Sequence, residues 1–261
     1  MTAPVVRLDD RACIEAVLRR NAPVHIYAIG DLDDFFWPRT TWYALDTPRP
    51  DEVALLYRAH EAATLLLLED TPGSRPLLAA IAPLLPPRFY AHLHPDLVPT
   101  LAQSHRFESK GMYEKMLLDD TDGIQQLGCP EAQVLGPDDL EELRELYEQS
   151  YPDHAFDSRM LETGQYVGLR LRGSLVSVAG VHVFSPRYGV AALGNVTTHP
   201  AARGRGWGRR VTARCCQQLL TTVSMIGLNV RADNLPALCC YRSLGFQRVH
   251  RYVEGWATAR T

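Results

Sequence analysis

The sequence has no apolar run of the roughly 18 residues that a membrane-spanning helix needs. The densest run, at 77–85, is interrupted by Pro83. The first ten residues lack the basic-then-apolar order of a signal peptide. We therefore expect a cytoplasmic protein that does not interact with a membrane.

Lysine is scarce: of the 27 basic residues, only Lys110 and Lys115 are lysines. The 30 acidic residues outnumber the basic ones, and the net charge of −3 gives no general support for nucleic-acid binding. The six cysteines include no C-x-x-C pair, which argues against a zinc ribbon or a thioredoxin-like site. We expect reduced core thiols and no bound metal.

Hydrophobic residues make up 46% of the 261 residues, as in an ordinary globular chain with one large or two small domains. A polar, turn-rich stretch at 120–131 divides the chain. After it, the periodicity predicts a strand, two helices, a three-stranded meander, a helix, a strand, a helix and a closing strand. The first half follows a similar order less clearly. We predict an α/β (α+β) fold with domains at 1–125 and 131–261.

The strongest chemical signal begins where a β-branched strand at 190–198 ends. A loop with three alternate glycines follows this strand, and a helix begins near Gly206. Alternate glycines let backbone N–H groups approach an anion, and a helix start adds further N–H groups. The loop also carries four arginines, which add positive charge: Arg203, Arg205, Arg209 and Arg210. This arrangement suits a pyrophosphate.

The spacing excludes two common phosphate loops. Arg209 stands where G-x-G-x-x-G needs its third glycine, and the P-loop lysine is absent. The pattern R-x-x-G-x-G, formed by Arg203, Gly206 and Gly208, resembles the coenzyme A pyrophosphate loop of the GNAT superfamily of N-acetyltransferases. Three further features follow in the order typical of that family, so that the resemblance covers about 131–261: Asn234, Tyr241 and the L-G-F sequence at 244–246.

The resemblance implies two tandem GNAT-like domains, each a mixed, mostly antiparallel, twisted sheet flanked by helices. The domain at 1–125 lacks the R-x-x-G-x-G loop and is expected to be a degenerate copy, whereas 131–261 would be the catalytic, acyl-CoA-binding domain. The segments 192–196 and 228–234 look most like the branch related to glycine N-acyltransferases. The resemblance also implies the cofactor-binding residues: Val196, Thr197, Thr198, Arg203, Gly204, Arg205, Gly206, Trp207, Gly208, Arg209, Asn234 and Tyr241.

Tyr241 matches the position of the family's general acid, which donates a proton to the departing thiolate. The ordinary pKa values of a tyrosine and a thiol are close enough for that transfer. By spacing alone, Tyr241 is equally typical of an amphipathic helix core, and Asn234 of a helix N-cap. Both alternatives stay open from the residues themselves.

The general base is less clear, because the strand at 190–198 contains no acid and its only amide, Asn195, could at most orient a water. His182 is one candidate, since histidine titrates near neutrality. Glu162 and Asp157, on a short predicted helix, are two others, and a chain of water molecules is a further route.

We predict an acyl-CoA-dependent N-acetyltransferase. It would transfer acetyl from acetyl-CoA, or a longer acyl group, to a primary amine by direct attack in a ternary complex. A small amine or amino acid, rather than a protein N-terminus or lysine, would bind near 151–166 and His182. We expect a monomer or homodimer. Two alternatives remain: a non-catalytic CoA-binding regulatory module, favoured by the missing acid, and a nucleic-acid binder that uses the arginines at 203–210.

Overall fold

The computed structural model describes residues 4–58, 62–152 and 156–260. Twelve strands occur in these ranges: β1 (Val5–Arg7), β2 (Thr40–Leu45), β3 (Ala54–Arg58), β4 (Ala63–Leu67), β5 (Arg88–Leu93), β6 (His105–Leu118), β7 (Gln133–Leu135), β8 (Tyr166–Leu171), β9 (Ser174–Ser185), β10 (Val190–Thr198), β11 (Met225–Arg231) and β12 (Phe246–Ala259). They also contain eight α-helices: α1 (Arg11–Leu18), α2 (Ala22–Gly30), α3 (Ser74–Ile81), α4 (Val98–Leu101), α5 (Asp122–Gln125), α6 (Leu140–Ser150), α7 (Trp207–Leu219) and α8 (Leu235–Ser243). In the described ranges, no helix is long and apolar enough to cross a membrane.

The chain divides into two compact units. Unit 1 consists of Met1–Lys115, Arg231–Asp233 and Val249–Thr261, and unit 2 consists of Met116–Val230 and Asn234–Arg248. These units do not coincide with the predicted domains at 1–125 and 131–261, because most of β12 belongs to unit 1. The predicted linker at 120–131 is also part of unit 2, where Gln217 of α7 donates hydrogen bonds to the carbonyl oxygens of Ile124 and Leu127.

The two units repeat one pattern of strand pairing. In unit 1, β1, β2, β3 and β4 pair antiparallel in sequence, and β4 pairs parallel with β5. In unit 2, β7, β8, β9 and β10 pair antiparallel, and β10 pairs parallel with β11. In both units a helix, α3 or α7, connects the two parallel strands, as a parallel connection requires. The prediction of a mixed, mostly antiparallel α/β fold is confirmed.

Strand β12 completes unit 1. Its residues from Val253 to Thr258 pair antiparallel with β5. Val253 and Ala257 are buried in the apolar core of unit 1 beside Phe89 and Leu93 of β5. Burial of apolar side chains on this face therefore selects the partner of β12.

The core of unit 2 lies between its sheet and the helices. Helix α7 packs against β8, β9 and β10, and α6 packs against β9 and β10. The buried residues of α7 recur at helical spacing, as the sequence predicts: Val211, Thr212, Ala213, Cys215, Cys216 and Leu219. Burial raises the pKa of the Cys215 thiol to about 12, which is typical of a core thiol and not of a nucleophile. The expectation of core thiols is wrong for Cys239, which is exposed, and for Cys13 and Cys240, which are only partly buried.

The substitution Gly255→Ala tests the place of β12 in unit 1. A Cβ atom at Gly255 would lie 2.5 Å from the carbonyl oxygen of Glu108 and 2.6 Å from the ring of Phe107. We expect the free energy of unfolding to fall by about 1–3 kcal/mol, as at other overpacked sites. Urea denaturation would measure this change.

Gly136→Ala is the matched control. A Cβ at Gly136 meets no atom within 4 Å, and its φ of −123° suits any residue. We expect this variant to stay within about 0.5 kcal/mol of the parent protein. Equal unfolding midpoints for both variants would contradict the placement of β12.

Candidate functional site

Strands β10 and β11 diverge part of the way along their length. They pair from Val190 with Met225 to Leu193 with Leu228, and β10 then continues to Thr198 with no further partner recorded on β11. The other edge of β10 remains paired with β9 as far as Thr198. On the side of β11, the backbone of 194–198 therefore has no pairing strand among the described residues, as the resemblance implies, although the carbonyl oxygens of Asn195 and Thr198 accept hydrogen bonds from Tyr147 and Arg203.

A β-bulge lies where the strands part. The register of β10 against β9 shifts between Gly194 and Thr197. Asn195, inside this bulge, has a φ of +54°, a left-handed conformation that asparagine tolerates better than most residues. Because one extra residue is inserted, the bulge turns the strand and re-aims the side chains that follow.

Two tyrosines hold the bulge in place. The hydroxyl of Tyr147, on α6, donates to the backbone carbonyl of Asn195 over 3.0 Å. The side-chain amide of Asn195 donates to the hydroxyl oxygen of Tyr166 over 3.1 Å, and Tyr166 in turn donates to the carbonyl of Val181. All three side chains are buried. No sequence pattern points to this network, because its three residues come from α6, β8 and β10 and only the fold brings them together.

His182 lies directly beside the bulge. Its ring occupies the space that a side chain at position 194 would fill, because a Cβ on Gly194 would lie 2.0 Å from the ring. The histidine is partly exposed. The structure thus brings one of the predicted bases, His182, next to the free backbone of β10.

The other two predicted bases belong to the short 3₁₀ helix Ser158–Thr163. Asp157 precedes its first residue, and Glu162 lies within it. Asp157 caps this helix and forms a salt bridge with Arg159 over 2.8 Å. Glu162 is exposed. Of the predicted acceptor region 151–166, residues 153–155 lie outside the described residues.

The loop after β10 has the backbone that its glycines predict. Gly204 and Gly206 have φ values of +75° and +77°, and a Cβ on either would meet no atom within 4 Å. Helix α7 starts immediately afterwards at Trp207, and the first N–H groups of a helix have no intrahelical acceptor. Open space beside the N–H groups at the start of a helix fits a pyrophosphate.

The arginines of the loop have different surroundings. Arg203 donates to the carbonyl oxygens of Thr198 and Ser150, and Arg210 donates to that of Gly128. These two side chains therefore hold the loop in shape. Arg205 and Arg209 are exposed, with no partner recorded among the described residues, and are available to an anion.

The remaining predicted cofactor residues surround the same loop. The hydroxyl groups of Thr198 and Ser177 are hydrogen-bonded over 2.8 Å. A Cβ atom on Gly208 would lie 3.0 Å from the Thr198 hydroxyl oxygen. Val196 is partly exposed, and Thr197 is buried. The indole N–H of Trp207 is buried without a partner in the described part of the chain.

Helix α8 supplies the two remaining residues. Asn234 caps the helix, because its side-chain oxygen accepts the N–H of Ala237 over 3.2 Å. Tyr241 is half-buried, with its ring 6.0 Å from that of Phe246. Burial, with smaller effects of Cys240 and Tyr151, raises the pKa of Tyr241 well above its usual range. The hydroxyl therefore keeps its proton at every physiological pH.

Comparison with known proteins identifies the segment that carries this site. Residues 135–246 match the acetyltransferase (GNAT) family. The N-alpha-acetyltransferase RimI of Mycobacterium tuberculosis is 38% identical over 106 residues, which are 38% of this chain and 63% of that protein. The uncharacterized protein ML0378 of Mycobacterium leprae is 33% identical over 127 residues, 44% of this chain and 34% of its own. The chain therefore spans less than two thirds of either relative.

Solved structures extend the similarity of fold to nearly the whole chain. A protein from Drosophila superposes with a TM-score of 0.73 at 13% identity and covers 99% of both chains. A tandem GNAT protein from the clavulanic acid biosynthesis pathway has a TM-score of 0.61 at 16% identity and covers 98% of both chains. A GCN5-related N-acetyltransferase from Sphaerobacter thermophilus has a TM-score of 0.61 at 14% identity. It covers 100% of this chain and 98% of its own.

The diverging strands, the glycine loop and the helix that carries Tyr241 all fall within the matched residues. The segment 135–246 of this chain is therefore similar to the acetyltransferase (GNAT) family.

Proposed function

We propose that this protein transfers an acetyl group from acetyl-CoA to a primary amine by direct attack in a ternary complex. The observation that carries the proposal is the continuous path along β10. Its free backbone at 194–198 leads directly into the open loop at 204–208. An extended thioester arm that ends in a pyrophosphate needs both features side by side.

The residues at this path fit coenzyme A. The backbone N–H groups of 204–208 and the exposed Arg205 and Arg209 would hold the pyrophosphate. The free edge of β10, at Val196 to Thr198, would bind the amide groups of the arm. Asn234 caps α8 with its oxygen, which leaves its amide N–H₂ available for the cofactor. Arg203 would contribute indirectly, because its hydrogen bonds to Thr198 and Ser150 fix the shape of the loop.

The same residues account for the chemistry. A backbone N–H of β10 directed at the thioester carbonyl would stabilise the negative charge that develops as the amine attacks. Tyr241 is neutral and would donate its proton to the departing sulfur, although its raised pKa makes it a weaker acid than an ordinary tyrosine. Coenzyme A supplies the activated acyl group, and its thioester carries the leaving thiolate.

His182 is the base that the geometry favours. It lies against Gly194 at the start of the free backbone, whereas Asp157 is engaged by Arg159 and Glu162 is exposed on the 3₁₀ helix. A base at His182 would accept the proton that the attacking amine loses.

Unit 1 is proposed to bind no coenzyme A. Its parallel strands stay paired from Thr64 with Tyr90 to Leu67 with Leu93, and His94 continues the ladder by donating to the carbonyl of Leu67. The loop that follows β4 carries Glu69 and Asp70 in place of arginines. The strands leave no gap for the arm, and the acids repel an anion.

The acceptor is proposed to be a small amine or an amino acid, as in the glycine N-acyltransferase-like branch. A second candidate is the N-terminus of a protein, which the relation to an N-alpha-acetyltransferase favours. Longer acyl-CoA donors, a cytoplasmic location and a monomeric or homodimeric state remain part of the proposal.

Release of free thiol from acetyl-CoA tests the proposal. The purified protein would be offered free amino acids, amino-acid amides and short peptides with a free N-terminus. Thiol release that requires an amine, with the acetylated amine identified by mass spectrometry, is the expected result. Tight CoA binding without any amine-dependent release would favour the regulatory module instead.

The Gly206→Val variant tests the pyrophosphate loop. A side chain there would fill the open concavity, so the dissociation constant of CoA should rise tenfold or more in calorimetry. The left-handed φ also imposes strain of about 1–2 kcal/mol on a non-glycine residue, which must be separated from the loss of binding.

Gly173→Val provides that separation. Gly173 has a φ of +88° and the same open surroundings, but it lies in the turn between β8 and β9. We expect this variant to lose similar stability and to keep its CoA affinity within twofold. Equal CoA affinity in the Gly206 and Gly173 variants would remove the main support for the loop assignment.

Calorimetry also counts the sites. Because unit 1 has paired strands and an acidic loop, one CoA should bind per chain, and Gly206→Val should weaken all of the binding. A stoichiometry of two, or a second site that survives Gly206→Val, would show that unit 1 binds the cofactor.

Tyr241→Phe removes one hydroxyl and keeps the ring. If the hydroxyl donates its proton only as the thiolate departs, kcat should fall by ~10²-fold, the lower end for general acid catalysis. The KM for acetyl-CoA should change less than about threefold, since ground-state binding is unaffected.

Tyr188→Phe is the control for Tyr241. Tyr188 is buried in unit 2 near the opposite end of β10 from the loop, and its loss should leave kcat within twofold. A kcat within twofold for Tyr241→Phe, together with a lower melting temperature, would make Tyr241 a core residue.

A further inference from the structure

One buried oxygen at the bulge has no hydrogen-bond donor. The side-chain Oδ1 of Asn195 is inaccessible to solvent and has no partner among the described residues, and the residue as a whole is 4% exposed. Leaving a buried acceptor unsatisfied is costly, because its bonds to water are lost and not replaced. Such a group is rare in a folded protein and requires an explanation.

The orientation of the Asn195 amide is fixed by its neighbours. Tyr166 uses its hydroxyl proton to donate to the carbonyl of Val181, so its oxygen can only accept from Asn195. The NH₂ group must therefore face Tyr166, and Oδ1 must be the unpaired atom. If the amide rotated, Oδ1 would need the proton that Tyr166 donates to Val181, and that bond would be lost.

The backbone of Asn195 is held as firmly as its side chain. The bulge places the residue in the left-handed region, and the hydroxyl of Tyr147 fixes its carbonyl. An unfavourable backbone conformation that the surroundings maintain is typical of functional sites. Both the strain and the unpaired oxygen occur at one residue, which is two positions beyond the last β10–β11 pair at Leu193.

The location favours a substrate as the missing donor. Asn195 lies at the point where the free backbone of β10 begins, next to the ring of His182 against Gly194. The reacting thioester group offers only acceptors, namely its carbonyl oxygen and its sulfur. The attacking amine carries N–H donors, and it must reach this point to react.

We propose that Asn195 Oδ1 accepts a hydrogen bond from an N–H of the acceptor amine and so orients it for attack. This inference rests on the proposed acetyl transfer. Asn195 takes no proton in the reaction. The nitrogen lone pair forms the bond to the carbonyl carbon, the carbon–sulfur bond breaks, and the sulfur receives its proton from Tyr241. The proton that the amine loses goes to the base.

The proposal has a consequence for substrate choice. A neutral primary amine has two N–H groups, so one can bind Oδ1 while the other is later released to the base. A secondary amine has one N–H group and cannot use it for both. The parent protein should therefore prefer a primary amine to its N-methyl counterpart, and this preference should depend on Asn195.

Asn195→Gly removes Oδ1 without new strain, because glycine adopts a φ of +54° freely. The bonds from Tyr147 to the backbone and from Tyr166 to Val181 do not use the deleted atoms. We expect kcat/KM for the best amine of the panel to fall by about tenfold or more, mainly through its KM, as one lost hydrogen bond predicts. The dissociation constant of CoA should stay within twofold.

Arg172→Gly is the matched control. Arg172, with a φ of +54°, is the other described non-glycine residue in the left-handed region, and it lies in the exposed turn between β8 and β9. The same change of residue type there should leave both kinetic constants within twofold.

A second variant, Tyr166→Phe, keeps Oδ1 but frees the amide to rotate. We expect an intermediate rise of the amine KM and a partial loss of the preference for primary over N-methyl amine. In Asn195→Gly, the ratio of kcat/KM for the primary amine to that for its N-methyl counterpart should fall close to one. A purely structural role of Asn195 would not change this ratio.

Three results would overturn the proposal. An amine KM and selectivity that Asn195→Gly leaves unchanged would exclude contact with the amine. A CoA dissociation constant that rises fivefold or more would assign Oδ1 to an amide N–H of the cofactor. If the parent protein acetylates no amine although it binds CoA, the proposed function fails first, and this inference fails with it.

Discussion

The site depends on the loss of pairing between two parallel strands. Beyond Leu193, the backbone groups of β10 that face β11 give up the hydrogen bonds of a paired strand, and buried backbone groups without partners are costly. The structure stabilises this opening from its other side. Strand β9 stays paired with β10, Tyr147 fixes the bulge, and Arg203 ties the loop back to Thr198. The free edge is thus rigid before any ligand arrives, which reduces the entropy lost on binding.

The two units show how few changes separate an open site from a closed one. Both place a parallel strand pair after three antiparallel pairings, and both follow the first parallel strand with a loop and a helix. In unit 1 the parallel pair stays closed to Leu67, and the loop has acids in place of arginines. Both units pair four residues on each parallel strand, but β4 ends at its last pair, whereas β10 continues for five residues beyond Leu193.

Much of the fold and the loop could be predicted from sequence, because these features depend on local rules. The alternation of side chains defines Val190–Thr198 as a strand, and the left-handed backbone of Gly204 and Gly206 needs glycine. The partner of β12 could not be predicted in this way. Periodicity shows which side chains share a face, but not which strand lies alongside, since that choice follows from burial of Val253 and Ala257 against residues distant in sequence. The Asn195 network was missed for the same reason, because its tyrosines come from α6 and β8.

The membership of β12 in unit 1 has a consequence for biosynthesis. As the ribosome makes the chain, residues up to Lys115 emerge long before Val249, so the edge of β5 lacks its neighbour until unit 2 has been translated. An unpaired edge in a nascent chain is open to wrong pairing and aggregation. Unit 1 therefore cannot mature as an independent early intermediate, because its last strand is translated only after most of unit 2. Contacts so distant in sequence also slow folding. Loss of the final strand through premature termination would harm the first half of the protein more than the second.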